Sequence, residues 1–472
     1  MKSRFKTTLQ LVVMTICLLS LFSLAAAAPA QTIRNSETAA APEGAGSTLH
    51  LPYLTDRGPG KVQSLFGIQM YGATSANSFY HPYMIETNAS WVRAPILWRI
   101  IEGTPDTYAW GHGDLVTGAA QDVTFIATLA DAPEWVAEDM DGPLDSAGMD
   151  QMAEFAHDVA ERYDGDGFMD AFGHPVVNYF EIFNEPDRGV GSWGHVGEDY
   201  AELLSRVTPA IKAANPNAKV LIGGIAYDFF EDQGGAFVRE FIDDVLNAGG
   251  GEYFDIMNFH AYSLFAFNWA PQGLGLREKT FAIRSKLVQH GYGDMPIFVT
   301  EAGTHSNIVP DYPSSQERQS RYVVELFVQS ASADVEMMIW WMLHDTQDQY
   351  QTGLITGHTP PVKKLAFTAF RQITQILSGA DYVRKMTNAQ TGASIMEAYV
   401  FRNDVTKKTI YVAWLNPVDS IEVRSLRVPG EQATVKNIYG IGTIVTDNGD
   451  GANDGHVRVN VSGQPVYIEV ID

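Results

Sequence analysis

Tyr179-Phe180-Glu181-Ile182-Phe183-Asn184-Glu185-Pro186-Asp187 decides how the rest of this chain is read. An aromatic and β-branched run of strand length stops at Asn184-Glu185-Pro186, so a buried strand ends by projecting a carboxyl group from its sheet. A second stretch does the same. Met295 to Thr300 is a short apolar run followed by the turn residues Ala302-Gly303, and it delivers Glu301. A single glutamate at a strand end is ordinarily solvated or salt-bridged. Two of them on separate strands supply what cleavage of a glycosidic bond needs: one protonates the leaving oxygen, and the other attacks the anomeric carbon or activates water.

Around these stretches, from Ser64 onward, apolar runs alternate with helical patterns. Expected strands are Phe66–Tyr71, Ser90–Leu97, Asp122–Leu129, Val176–Phe183, Lys219–Ile225, Phe254–Tyr262, Pro296–Thr300 and Val335–Met342. Met152, Phe155, Val159 and Tyr163 recur at helical steps, as do Tyr200, Leu203, Leu204, Val207 and Ile211. Eight such units predict an α/β fold, a (β/α)8 TIM barrel over residues 63–379, with its chemistry at the C-terminal ends of the strands. After Gly379 the texture changes to short alternating runs between turn residues, which predicts an all-β sandwich domain over 380–472 without helices.

Residues 1–30 read as a secretory signal, with Lys2, Arg4 and Lys6 ahead of the apolar Leu9 to Leu24 and the small-residue exit Ala28-Pro29-Ala30. An uncleaved membrane anchor is the alternative, because the apolar run approaches spanning length. Residues 31–62, rich in Ala, Pro, Gly, Ser and Thr, predict a flexible linker. The chain has 472 residues, 45% of them hydrophobic, which is enough to bury a large core and excludes disorder for most of its length. Its net charge of −24 repels nucleic acid and anionic membranes and argues against a strongly anionic polysaccharide.

The single cysteine, Cys17, lies inside the signal. A mature chain without it has no disulfide, thiol nucleophile or thiolate metal site. No phosphate-binding glycine loop follows a strand, and the histidines show no metal spacing. Asp447 to Gly455 tempts a calcium reading, but Ala452 stands where an oxygen ligand belongs, so a polar hairpin tip is expected. Neither metal nor cofactor is therefore expected.

Phe183-Asn184-Glu185-Pro186 resembles the Asn-Glu-Pro signature of clan A glycoside hydrolases. Further matches follow in the clan's order: Trp91-Val-Arg93-Ala-Pro-Ile-Leu-Trp98, Tyr108-Ala-Trp110, Ala132-Pro133-Glu134-Trp135, Phe259-His260-Ala-Tyr262 and Ile339-Trp340-Trp341. The chain looks most like family 39, with families 5 and 42 as relatives.

The resemblance implies that Glu185 is the general acid/base, Glu301 the nucleophile, and the mechanism retaining. A raised pKa is then expected for Glu185 in the first step. Asn184 would bind the sugar 2-hydroxyl, Tyr262 would touch the nucleophile, and Trp341 rather than Trp340 would floor the sugar subsite. Arg93, at an inward strand position, could hold Glu301 ionised. His260 lies on the same face as Tyr262, where it lines the sugar site or is a satisfied core histidine. Trp98, Trp135 and Trp193 are weaker subsite candidates, and Phe265, Phe267 and Trp269 are possible stacking platforms. The function expected is a secreted or cell-surface retaining β-glycoside hydrolase acting on a neutral oligo- or polysaccharide. The alternative is an inactive carbohydrate-binding or attachment protein on the same barrel.

Overall fold

The computed structural model describes residues 65–471 apart from 263–274, 310–312, 347–348 and 418–419. The expected signal, the linker, and Phe265, Phe267 and Trp269 lie outside the described residues. Eight parallel strands form the first sheet: β1 (Phe66–Gln69), β2 (Trp91–Leu97), β3 (Thr124–Ala130), β4 (Tyr179–Ile182), β5 (Lys219–Leu221), β6 (Met257–Ala261), β7 (Ile297–Ala302) and β8 (Met337–Trp340). Their order is β5-β4-β3-β2-β1-β8-β7-β6, so the first and last strands pair and the sheet curls on itself. Single parallel bridges, Leu221 to Ile256 and Ile225 to Phe259, close the ring between β5 and β6. All eight expected strands are present, mostly shorter than the apolar runs that announced them.

Helices wrap the outside of the ring. The helix Ser146–Arg162 starts at Asp145, whose carboxylate accepts the Gly148 N–H at 2.8 Å, and buries Met149, Met152, Phe155 and Val159 on one face. The helix Gly197–Ala214 buries Tyr200, Leu203, Leu204, Val207 and Ile211, the residues its periodicity singled out. Among the described residues, no helix is long and apolar enough to cross a membrane.

The C-terminal part is built from β9 (Asp381–Lys385), β10 (Met396–Asn403), β11 (Lys408–Leu415), β12 (Arg424–Pro429), β13 (Gln432–Asn437), β14 (Gly442–Thr446), β15 (His456–Val461) and β16 (Val466–Ile471). Six of them form an antiparallel sheet in the order β14-β13-β16-β11-β10-β9, and β12 pairs with β15 to cover one face. Alternation along β10 and β11 serves two cores. Ala398, Val400, Tyr411, Ala413 and Leu415 face the sandwich interior, while Tyr399, Phe401, Val412 and Trp414 join the core of the barrel. Sequence periodicity missed β9, β13 and β14, because strands at or near a sheet edge carry charged and polar residues in place of a clean apolar alternation. The expectation of no helices also needs correction, since Asn388–Thr391 forms one helical turn capped reciprocally by Thr387 and Gln390.

Gly223, just after β5, is a position of close approach. A Cβ there would sit 2.3 Å from the Ile182 carbonyl oxygen and 2.9 Å from Pro186 Cδ. Gly223→Ala is therefore expected to force the end of β4 away from β5 and destabilise the fold by about 1–3 kcal/mol. Thermal unfolding checks it, and an unchanged midpoint would contradict this packing.

Candidate active site

The barrel interior is layered by two-residue steps along the strands. Trp91, Ile126, Leu221, Ile256, Phe298, Met337 and Ile339, with Tyr179 against them, form an apolar floor. Two residues further along β2, β3, β4 and the run through β6, the same face carries Arg93, Thr128, Glu181 and Asn258. A polar layer thus lies directly on the apolar one.

Arg93 organises that layer. It is 2% exposed, and its three guanidinium nitrogens donate in four directions. Nε reaches Glu181 at 2.6 Å, Nη1 reaches Glu301 at 2.7 Å and Gln69 at 3.1 Å, and Nη2 reaches Asn184 at 2.7 Å. Burial alone would lower the guanidinium pKa, but the Glu181 and Glu301 carboxylates outweigh it and push it up. Glu181, with no exposed surface, also accepts from Thr128 and Asn258.

Glu185 leaves β4 through strained backbone. Phe183 and Glu185 both take positive φ, 60° and 49°. The Phe183 N–H to the Leu129 carbonyl (2.8 Å) and the Glu185 N–H to the Gly223 carbonyl (2.8 Å) hold them there. Asp187 then clamps the exit by accepting the Ala226 and Tyr227 N–H groups at 3.0 and 2.8 Å. Burial pushes its carboxyl up to about 7 despite those two bonds.

Glu301 lies inside β7, one residue deeper than the sequence implied. The β6–β7 register slips between Phe259 and His260, and the β7–β8 register slips between Val299 and Ala302. That irregularity lets consecutive residues reach inward: Thr300 accepts from Asn258, while Glu301 meets Arg93.

His260 joins the two glutamates. Its Nδ1 lies 2.9 Å from Glu185 Oε1 and 3.7 Å from Glu301 Oε2. One donor atom from each of the three residues falls within 4.8 Å of the others. Burial lowers the imidazole pKa, but Glu301 and Glu185 outweigh it and the ring is held above its ordinary value. Glu185 responds in the opposite sense. Burial raises its carboxyl, yet the His260 hydrogen bond and charge, with Arg188 and Arg93, hold it below the usual range. The raised pKa expected for Glu185 alone is thus replaced by a Glu185–His260 pair that shares a proton. The three groups have the spacing of metal ligands, but the Arg93 guanidinium already supplies the cation at Glu301.

Tyr262 donates to Glu301, and burial together with that carboxylate keeps the phenol protonated. Trp341 lies edge-on to Tyr262 with ring centroids 6.1 Å apart, and its indole N–H reaches the Tyr71 hydroxyl at 3.3 Å. Trp340 points into the core. Two expected subsite residues are corrected. Trp98 is fully buried, stacked on Phe155 and bonded to Glu102; Trp193 is fully buried between Phe183 and Tyr200 beneath Gly142. Both anchor the loops that follow the strands, since packing an indole under a loop buries more apolar area than leaving it at the mouth. Trp135 is half-buried and donates to the Glu102 carbonyl at 3.1 Å, on the loop after β3.

Sequence reading missed Glu181, Asn258, Thr128, Gln69 and Arg188. Glu181 left a signal: a carboxylate inside a buried strand, matching Arg93 inside another, is an ion pair waiting for a barrel to close. Gly224, after β5, is a further position whose role only the structure shows. Its φ is 55°, and a Cβ there would lie 2.5 Å from His260 Nε2 and 2.7 Å from Glu181 Oε1, so the site needs its bare backbone.

Arg93→Met strands Glu181 in the interior and should cost about 3–5 kcal/mol. Arg93→Met with Glu181→Gln should regain part of that loss in thermal unfolding. A double variant no more stable than the single one would remove the pair from this central position.

A family model described as cellulase (glycosyl hydrolase family 5) matches residues 60–346. A search of curated proteins finds no match. Among solved structures, the chain is similar to a family 39 glycoside hydrolase from Bacteroides cellulosilyticus WH2, at TM-score 0.65 and 17% identity, covering 87% of this chain and 81% of that one. It is also similar to a GH30 endoxylanase from Clostridium papyrosolvens C71, at TM-score 0.59 and 12% identity over 87% and 97% of the two chains. A GH51 alpha-L-arabinofuranosidase from Thermotoga petrophila RKU-1 gives TM-score 0.59 and 13% identity over 87% and 97%. These likenesses carry the fold, and the family model, spanning more than half the sequence, carries the rest: the chain belongs to glycosyl hydrolase family 5 of clan A and is a glycoside hydrolase.

Proposed function

We propose that this enzyme hydrolyses β-glycosidic bonds of a neutral oligo- or polysaccharide with retention of configuration, and that it is secreted. The observation that carries the reading is the approach of Glu185 and Glu301, whose carboxylate oxygens come within 4.8 Å across the His260 imidazole. Retaining pairs stand about 5–5.5 Å apart, while inverting pairs need roughly 6.5–9.5 Å to admit a water.

In this mechanism a sugar rests on Trp341, and Glu301 attacks its anomeric carbon. Arg93 and Tyr262 fix the attacking carboxylate by hydrogen bonds to its two oxygens. Glu185 gives the leaving oxygen the proton it shares with His260. Once Glu301 is spent in the glycosyl bond, the pair takes a proton back from the incoming water, and the intermediate hydrolyses. Asn184, held by Arg93, presents its amide to the 2-hydroxyl.

A neutral glycan is favoured by the charge of −24. A xylanase, a xylosidase, a glucosidase and an arabinofuranosidase are among the structural neighbours, which makes β-xylans and β-glucans the first substrates to try. Secretion rests on the cationic front and apolar run of residues 1–30.

Glu301→Ala should abolish turnover of an activated aryl β-glycoside, and added azide should then yield a glycosyl azide of inverted configuration. Glu185→Ala should lower turnover by about 10²–10⁴-fold, with azide giving the retained product. NMR of the first product released by the unaltered enzyme decides between mechanisms, and an inverted sugar would overturn the retaining one.

The shared proton also sets the pH profile. Between the lowered value of Glu185 and the raised value of His260 the pair carries one proton, and it is lost as pH rises through the histidine. The alkaline limb of kcat/KM should therefore fall above the ordinary histidine value of about 6.5, and His260→Asn should move it to lower pH. An unmoved limb would return the proton to Glu185 alone.

A further inference from the structure

The loop between the helix Ser146–Arg162 and β4 carries Tyr163-Asp164-Gly165-Asp166-Gly167-Phe168-Met169-Asp170. We propose that Asp164, Asp166 and Asp170 bind a calcium ion, and that the ion pins the loop that leads into β4.

One carboxylate oxygen from each of the three residues lies within 4.8 Å of the others. A second observation points to a ligand. The Asp170 side chain is only 2% exposed, yet its Oδ1 is buried and has no hydrogen-bond partner. Its Oδ2 accepts from the Gly167 N–H at 2.9 Å and faces His174 Nδ1 at 2.7 Å. The Asp170 carboxyl group also lies against that of Asp164. A desolvated carboxylate oxygen without a donor is costly, and turning it toward other carboxylates is costlier unless a cation stands between them.

The loop is shaped to leave oxygens free. The Asp166 N–H bonds to Asp164 Oδ1 at 3.0 Å and the Phe168 N–H to Asp166 Oδ1 at 2.7 Å, so each aspartate spends one oxygen on the backbone and keeps the other. An all-oxygen donor set on a short loop, completed by carbonyls and water, suits calcium better than magnesium, which demands a stricter octahedron. The Ala171 N–H bonds back to Arg162 at 3.0 Å and the Val177 N–H to Tyr163 at 2.7 Å, so fixing the aspartates fixes the chain two residues before β4 begins. The site lies at the opposite end of β4 from Glu185, so its ion stabilises and does not take part in bond cleavage.

The test is thermal unfolding of the full chain, stripped with chelator and titrated with calcium chloride or magnesium chloride. Calcium should raise the midpoint with the logarithm of its concentration, by about 3 °C at a hundredfold excess over its dissociation constant, and magnesium should raise it less. Asp166→Asn should abolish the rise. The side chain of Asp166 is exposed, and asparagine keeps the acceptor for Phe168, so this variant folds. Asp170→Asn is the second variant and should behave alike. No rise with calcium, an equal rise in Asp166→Asn, or an equal effect of magnesium would each overturn the proposal. So would loss of aryl glycoside turnover on chelation at an unchanged midpoint, which would put the ion at the glutamates.

Discussion

A guanidinium and a carboxylate meet inside the barrel, Arg93 with Glu181, and the mouth is arranged around satisfying them. Neither side chain reaches solvent. Removing two charges from water costs several kcal/mol each, and the attraction between them offsets this only if the remaining donors and acceptors are also used. Most are: Gln69, Asn184 and Glu301 take three of the four remaining guanidinium hydrogens, and Thr128 and Asn258 donate to the Glu181 carboxylate. The polar layer is therefore a connected network, and disturbing one member exposes the others to an unpaired charge.

That network converts a stable floor into an oriented site. Glu301 inherits its position from Arg93, and Asn184, one residue before Glu185, is tied to the same guanidinium. The exit of β4 is held against its backbone preference by bonds from both neighbouring strands, and the clamp at Asp187 extends that hold to the loop after β5. Preorganisation of this kind is paid before the sugar arrives, so little reordering remains for the reaction.

The Glu185–His260 pair answers a difficulty that a lone glutamate would face. A buried carboxyl near another carboxylate tends to stay neutral, and a nearby imidazolium and arginines pull it the other way. In the proposed mechanism, sharing the proton would keep the pair loaded while leaving Glu185 easily ionised for a second duty as base. The same arrangement explains why no residue larger than glycine fits at position 224, beside the far nitrogen of the ring.

Residue pattern alone indicated the eight strands of the barrel, the β-rich C-terminal part and the position of Glu185 and Glu301 near the C-terminal ends of two strands. Strand periodicity and turn chemistry are local, and the motifs around Asn184-Glu185 and His260-Ala-Tyr262 are contiguous. Burial is different, because it depends on which distant residues arrive. Trp98 and Trp193 look like sugar platforms in sequence, and only packing against Phe155, Phe183 and Tyr200 turns them into anchors. Glu181 looks like part of a strand until closure of the ring brings Arg93 against it. The slipped register at Thr300-Glu301 has no local signature either, since it comes from fitting β7 between two neighbours. Chain-local chemistry fixed which groups are present, and ring closure, by forcing charges out of water, fixed which of them meet.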